Sequence, residues 1–222
     1  MIWYVPTAAD AADARTAVRE WGIPSSLTPY DMDQLYRGTG LKPEELLLRA
    51  ADLSVVDGII LPHLKMTGKR DCCPFLSGEG RCRIHAFRPG FCRLFPLGRL
   101  YEDGSFSYFL QTKECKKNHR SKIRIKKWLD IPDLPRYEDY VCSWHYLLMD
   151  LQTHIERAGD ESYQKQVSMY VLQNFYLTPY PEEGFYEAFQ ERYETCKNAL
   201  SPGIRPAYAF RSFTVLWNPE RS

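Results

Sequence analysis

The sequence predicts a mostly helical α+β protein with one small β-hairpin, several cysteine-bearing loops and a group of C-terminal helices. Apolar residues recur at helical spacing from residue 134 to about residue 200. An Asp-Gly pair between two short apolar runs is typical of a hairpin turn. The segment before that hairpin is rich in Cys, Gly and Pro, which indicates irregular loops.

Length and composition fit this fold class. The chain has 222 residues, of which 44% are hydrophobic and 14% aromatic, enough for the core of one domain or one and a half. No apolar run approaches the roughly 20 residues that a membrane helix needs, and the first residues lack the basic and apolar regions of a secretory signal. We therefore expect a cytoplasmic protein with no membrane contact.

Helix-start and helix-stop residues organise the segment that precedes the loops. Thr28 and Pro29 predict the start of a short helix, and Gly38 and Gly40 predict its end. Pro43, which two acidic residues follow, predicts the start of a second short helix. An apolar run then predicts a strand over residues 58–66.

The segment that follows the loops predicts a hairpin and then a basic helix. The predicted hairpin covers residues 98–111, with Asp103 and Gly104 at its turn. Residues 121–129 have the spacing of a basic amphipathic helix, which Pro132 ends.

Helical spacing continues in the C-terminal part. Three helices are predicted, over residues 134–158, 161–177 and 181–200, with a break at Gly159 between the first two. Their many aromatic residues are predicted to form a packing core between helices.

Cysteine is the strongest chemical signal in the chain. Five of the seven cysteines fall within 44 residues, namely Cys72, Cys73, Cys82, Cys92 and Cys115. In a reducing cytosol, clustered thiols bind metal more often than they form disulfides. Turns at residues 77–80 and 88–90 let the loops present thiolates from separate parts of the chain to one ion. We therefore predict Cys73, Cys82, Cys92 and Cys115 as ligands of zinc or iron, and the iron could form an iron–sulfur cluster.

The other candidates are assigned by their surroundings. Cys142 and Cys196 each stand alone in a helical pattern and are predicted to be small buried hydrophobic residues. Cys72 is ambiguous, because adjacent residues seldom face the same ion. His85 and His119 are predicted to be polar surface groups, with metal ligation as the alternative.

The net charge of +1 is unevenly distributed. Residues 65–130 carry 16 basic and 6 acidic residues, a net of +10, and the rest carries 13 basic and 22 acidic residues, a net of −9. Five arginines near the cysteines are predicted to offset the negative charge of bound thiolates: Arg81, Arg83, Arg88, Arg93 and Arg99. Two alternatives remain, pairing with the acidic ends of the chain or an anionic or protein partner at Lys113 to Lys127.

Three motifs resemble the YkgJ-type cysteine-cluster family. They are Cys73-Pro74-Phe75-Leu76, Gly80-Arg81-Cys82-Arg83-Ile84-His85 and Arg88-Pro89-Gly90-Phe91-Cys92-Arg93-Leu94-Phe95-Pro96-Leu97. With its flanks, the resemblance covers roughly residues 27–144. It implies a zinc- or iron-chelating domain with the same four cysteines at ligand positions, and it implies no particular reaction.

The first 26 residues depart from that family. Its members begin with a dense Cys-x2-Cys-x2-Cys-x2-Cys-Cys cluster, whereas residues 1–26 contain no cysteine and an Ala-Asp repeat. With permitted codons, a shifted reading frame places cysteines at positions 7, 10, 13 and 17, which fits the missing cluster. We therefore treat residues 1–26 as an anomalous N-terminus, out of frame or divergent. A cysteine-cluster metal-binding domain over 27–158 and a helical extension over 159–222 are predicted to follow.

These features together predict a metal-binding protein that chelates zinc or an iron–sulfur cluster. Four bound thiolates leave a zinc ion no open position, which favours a structural role. One alternative is a metal-dependent or iron–sulfur enzyme that modifies protein side chains, since related motifs occur in a flagellin lysine methylase. A second alternative is an RNA- or anion-binding module. No dinucleotide fingerprint, phosphate-binding loop or serine-hydrolase motif occurs in the sequence.

Overall fold

The computed structural model describes residues 2–6, 26–67, 72–111 and 120–199. The chain divides into two compact units, unit 1 (Met1–Asp52 and Pro62–Cys142) and unit 2 (Leu53–Leu61 and Ser143–Ser222). Most of the regular structure is helical, and the described strands form three two-stranded sheets. The predicted class, a mostly helical α+β fold with small hairpins and C-terminal helices, is confirmed.

Unit 1 contains two short helices at the predicted positions. Helix α1 (Pro29–Thr39) starts at Thr28, whose side chain accepts a backbone hydrogen bond, and it ends at Gly40 in the left-handed conformation with φ of 69°. Helix α2 (Pro43–Ala50) follows, and its Leu46 is completely buried. Both helices therefore begin where the sequence predicted; α1 continues through Gly38 to Thr39, and α2 ends where the backbone becomes extended at Ala51.

A hairpin follows α2 directly. Strand β2 (Ala51–Val56) and strand β3 (Ile59–Leu64) are joined by Asp57 and Gly58, which both have positive φ (48° and 83°) as a two-residue hairpin turn requires. The sequence predicted only the second of these strands. Strand β2 was missed because it starts without any break after the helix and most of its residues are not buried.

The predicted hairpin after the cysteine loops is confirmed. Strand β4 (Leu97–Glu102) pairs antiparallel with strand β5 (Ser105–Leu110). Its turn residues Asp103 and Gly104 have φ of 50° and 75°. The Asp-Gly pair thus marked both the position and the turn type.

The helix predicted over residues 121–129 is correct for its second part and wrong for its first part. Strand β6 (Arg120–Arg124) pairs antiparallel with strand β1 (Ile2–Pro6), and only Ile125–Leu129 is helical, as α4. Pairing with a strand from the start of the chain overrides the local helical spacing. The basic residues of this segment are therefore divided between a strand and a helix and do not share one helical face.

The C-terminal helices lie close to their predicted positions. Helix α5 (Leu134–Ala158) has the predicted bounds, and its residues from Ser143 onward belong to unit 2. Helix α6 (Glu161–Val171) continues into a π-helical segment (Leu172–Leu177). Helix α7 (Phe185–Ala199) begins four residues later than predicted, after Gly184 in the left-handed region (φ 84°).

Aromatic side chains form the core of unit 2, as predicted. The Trp144 ring lies 5.1 Å from the Phe175 ring and 6.2 Å from the Phe189 ring, measured between centroids. All three side chains are buried. Within the described part of the chain, no helix is both long and apolar enough to cross a bilayer.

Candidate metal centre

The first predicted ligand, Cys73, follows a short backbone bridge. The N–H of Thr67 donates to the carbonyl of Cys72 at 2.8 Å, and the N–H of Cys72 donates back to the carbonyl of Thr67 at 2.9 Å. The carbonyl of Cys73 then accepts the N–H of Leu76 at 3.1 Å, which closes a turn. The backbone is thus held on both sides of the Cys73 side chain.

A second backbone bridge brings Cys82 towards Cys73. The N–H of Arg83 donates to the carbonyl of Phe75 at 2.8 Å, so the two arms of the intervening loop run antiparallel. Gly80 in the turn has φ of 81°, a conformation that favours glycine. The turn expected from the sequence therefore folds the chain back and places the two cysteines in one loop.

The Cys73 sulfur has the surroundings of a thiolate ligand. It accepts a hydrogen bond from the backbone N–H of Phe75, which favours the charged form. Burial raises the pKa of the Cys73 thiol, the neighbouring thiols of Cys82 and Cys72 raise it further, and Arg83 opposes them. A bound cation would lower the pKa of this thiol and ionise it.

The third predicted ligand, Cys92, lies on a short helix. Helix α3 (Gly90–Leu94) follows a 3-10 turn at His85–Phe87. The residue is partly accessible as a whole, but its sulfur is enclosed, and burial raises the pKa of this thiol strongly. The thiols of Cys73 and Cys82 raise it further. The thiols of Cys73 and Cys82 therefore lie close enough to Cys92 for their charges to act on it.

These three cysteines are neighbours, but they do not form a closed metal site. No group of three His, Cys, Asp or Glu side chains in the described part of the chain could hold a metal ion as it stands. Cys115, the fourth predicted ligand, lies outside the described residues. Convergence of the four cysteines on one metal therefore stays a prediction.

Two of the five predicted arginines act on the thiols. Arg83 lowers the pKa of Cys73, and Arg88 lowers that of Cys92, in each case against the larger effect of burial. The Nε of Arg88 is buried and has no hydrogen-bond acceptor among the described residues. A thiolate brought closer by a metal is an acceptor of the right charge for that donor.

Two other arginines have different roles from the one predicted. The guanidinium of Arg93 donates to four backbone carbonyls, those of Ala86, Arg88, Leu129 and Asp130. The Cζ of Arg99 lies 5.4 to 5.9 Å from the ring centroids of Phe106, Tyr108 and Tyr137. These side chains stabilise the scaffold around the cysteines, through hydrogen bonds and cation–π contacts.

His85 is an exposed polar group, as predicted. Its Nε2 lies 3.0 Å from Nη1 of Arg88, and partial burial together with the charges of Arg88 and Arg93 lowers the pKa of His85. His119 lies outside the described residues.

The two isolated cysteines differ from each other. Cys196 is completely buried, which confirms the prediction for it, and burial raises the pKa of its thiol to about 12. The prediction for Cys142 is wrong, because its side chain is partly exposed and its thiol donates to the carbonyl of Gly104 at 3.1 Å. A hydrogen bond to a hairpin turn, not burial, holds this thiol.

Sequence reasoning missed the buried carboxyl group of Asp31. It is 3% exposed and accepts hydrogen bonds from Gly90 and Thr28. Burial raises the pKa of Asp31, against the effect of these bonds. The Thr28-x-x-Asp31 pattern signals a helix cap, and nothing in the sequence linked that cap to Cys92, 61 residues after Asp31.

Comparison with known families agrees with the cysteine pattern. Residues 23–125 match the CxxCxxCC family, described as a "putative zinc- or iron-chelating domain", which confirms the resemblance to a cysteine-cluster family. The motif that gives this family its name does not occur in the chain. Searches of curated proteins and of solved structures found no match.

Proposed function

We propose that Cys73, Cys82, Cys92 and Cys115 bind one zinc or iron centre in the segment that matches the CxxCxxCC family, residues 23–125. The observation that carries the proposal is the proximity of the three described thiols: Cys73 and Cys82 lie close enough to Cys92 to raise the pKa of its thiol, and Cys82 also raises that of Cys73. Cys73 and Cys82 lie on one loop and Cys92 on a short helix, and none of the three is a fully buried core residue.

Burial keeps these thiols neutral without a metal, but three of their neighbours would suit thiolates once a metal binds. The Phe75 N–H donates to one sulfur, and Arg83 and Arg88 place positive charge beside two of them. The buried Nε of Arg88 lacks an acceptor among the described residues. Partners of this kind orient the ligands of a metal and balance its thiolates.

The bound metal would link loops that have little regular structure of their own. Between Cys72 and Gly90, the described chain contains two isolated bridges and one 3-10 turn. Because such a site is not assembled in the unfolded chain, metal-binding free energy contributes to folding free energy. Thiolates suit both zinc and iron–sulfur clusters, so the donor set is compatible with either.

We also propose that the protein works in a reducing compartment such as the cytoplasm. The six cysteines that the structure describes are all free thiols. A thiolate metal site requires reduced cysteines, and an oxidising compartment would turn neighbouring thiols into disulfides.

The proposal is tested on the full chain purified without oxygen. Elemental analysis and the absorption spectrum report the metal, since iron–sulfur clusters absorb visible light and zinc does not. We expect bound zinc or iron in the parent protein and a loss of both metal and thermal stability in Cys82→Ser and Cys92→Ser.

Cys142→Ser is the matched control, because serine can keep the hydrogen bond to Gly104 and the position lies outside the predicted ligand set. It is expected to retain the parent's metal content. Equal metal loss in all three variants, or no zinc or iron in any preparation, would refute the proposed site.

A further inference from the structure

Asp31 joins the start of α1 to the start of the helix that carries Cys92. Its Oδ2 accepts the backbone N–H of Thr28 at 2.9 Å and the Thr28 hydroxyl at 2.8 Å. Its Oδ1 accepts the N–H of Gly90 at 2.7 Å. Gly90 is the first residue of α3 and Cys92 is the third, so one carboxyl group holds two helix starts together.

Only a carboxylate satisfies all of these donors. Three hydrogen-bond donors converge on two acceptor oxygens, and the side chain is almost completely buried. The amide of an asparagine has one oxygen, so its nitrogen would face a donor on one side of the site. An unpaired N–H at Gly90 would then be buried, or α3 would have to move.

The start of α3 is also confined by Tyr137. A Cβ atom on Gly90 would lie 2.2 Å from the hydroxyl oxygen of Tyr137 and 3.4 Å from Oδ1 of Asp31. Tyr137 itself is buried. Asp31 and Tyr137 therefore hold the backbone two residues before the Cys92 thiol, and Asp31 lies close enough for its charge to act on that thiol.

Helix α3 depends on such support, because five residues form little more than one helical turn. Helices of that length are not stable alone, and outside contacts set their orientation. The direction of the Cys92 side chain therefore follows from what holds Gly90.

We propose that Asp31 is the positioning residue of the metal centre, which directs Cys92 towards the metal without itself binding it. This inference rests on the proposed metal site. It predicts that loss of the Asp31–Gly90 hydrogen bond weakens metal binding through Cys92 alone, whereas a general structural role would act equally on every ligand.

Asp33 provides a matched control on the same helix. It is also a buried carboxyl group, 6% exposed, but it pairs with Arg37 within α1 at 2.7 Å. Zinc affinity of the full chain is measured by competition with a chelator, and Co²⁺ replaces zinc to report thiolate ligands by absorption. We expect Asp31→Asn to weaken zinc binding about 10- to 100-fold and to lower the thiolate absorption, and Asp33→Asn to change neither.

A double-mutant comparison locates the effect. The double mutant Asp31→Asn/Cys92→Ser should bind zinc no more weakly than Cys92→Ser alone. In the double mutant Asp31→Asn/Cys82→Ser, the two losses of zinc affinity should add. Simple additivity with Cys92→Ser would overturn the inference.

A variant that keeps both acceptor oxygens covers the case in which Asp31→Asn does not fold. Asp31→Glu displaces the carboxylate by one methylene, and we expect it to weaken zinc binding more than Asp33→Glu does. Equal zinc affinities in the two glutamate variants would overturn the inference. If Cys92→Ser itself keeps the parent's zinc affinity, the proposed metal site fails, which is a separate result.

Discussion

The cysteines outside the candidate centre differ in what holds them. Cys196 is completely buried, and its thiol has a pKa raised to about 12. Cys142 is partly exposed at the β4–β5 turn, where it donates to Gly104. Reactivity depends on access and on the thiolate fraction, so these two positions should behave oppositely.

We expect a thiol-alkylating reagent to modify Cys142 in the folded protein and to spare Cys196 until the chain unfolds. Mass spectrometry of the digested protein measures both sites in one experiment. Equal rates at Cys142 and Cys196 under native conditions would contradict the burial of Cys196.

The space around Gly90 gives a second prediction at this scale. Because a Cβ there would meet the buried Tyr137 hydroxyl at 2.2 Å, Gly90→Ala should lower the free energy of unfolding by about 1–3 kcal/mol. Gly78 has nothing within 4 Å of its Cβ position, and its φ is not in the left-handed region, so Gly78→Ala should be neutral or slightly stabilising. Urea unfolding measures both; a neutral Gly90→Ala would contradict the described packing.

At the scale of elements, Arg93 connects two short segments that sequence patterns treat as independent. Its guanidinium binds carbonyls in the turn before α3 and at the end of α4. The C-terminal carbonyls of a helix have no partners within that helix, and a guanidinium is well suited to them. Arg93 directly follows Cys92, so these hydrogen bonds also hold the backbone next to Cys92.

Arg93→Lys should be destabilising, because an ammonium group cannot reach four carbonyls in two places. We expect the free energy of unfolding to fall by about 1–3 kcal/mol. The control is Arg81→Lys, since the Arg81 residue is exposed; it should change stability by less than about 0.5 kcal/mol. Similar losses in both variants, in a denaturant titration, would show that Arg93 has no special role.

Local signals predicted elements whose causes are local. Caps at Thr28 and Gly40 gave α1, and Asp103-Gly104 gave the β4–β5 hairpin. Strand β6 was missed because its partner lies at the start of the chain. The contact between Asp31 and Gly90 was missed for the same reason, since 59 residues separate the two and neither motif points to the other.

For the whole molecule, the division between residues 1–26 and the rest stays a prediction that the coding DNA decides. The family match begins at residue 23, near the end of that segment. If the shifted frame is correct, Asp10 and Asp13 are both encoded GAT, Thr7 is encoded ACT and Ala17 is encoded GCT. A GAC codon at either aspartate would remove a predicted cysteine and refute the frameshift.

The central claim is that clustered thiolates bind a metal in this chain. X-ray absorption spectroscopy at the metal edge of the full, anaerobically purified protein tests it most directly, because the technique identifies the metal and counts its sulfur neighbours. For a single zinc, the proposed site predicts four sulfurs at about 2.3 Å. An iron–sulfur cluster would show sulfur neighbours at a comparable distance together with a short iron–iron distance. A metal surrounded only by oxygen or nitrogen, or a protein without zinc or iron, would contradict the claim.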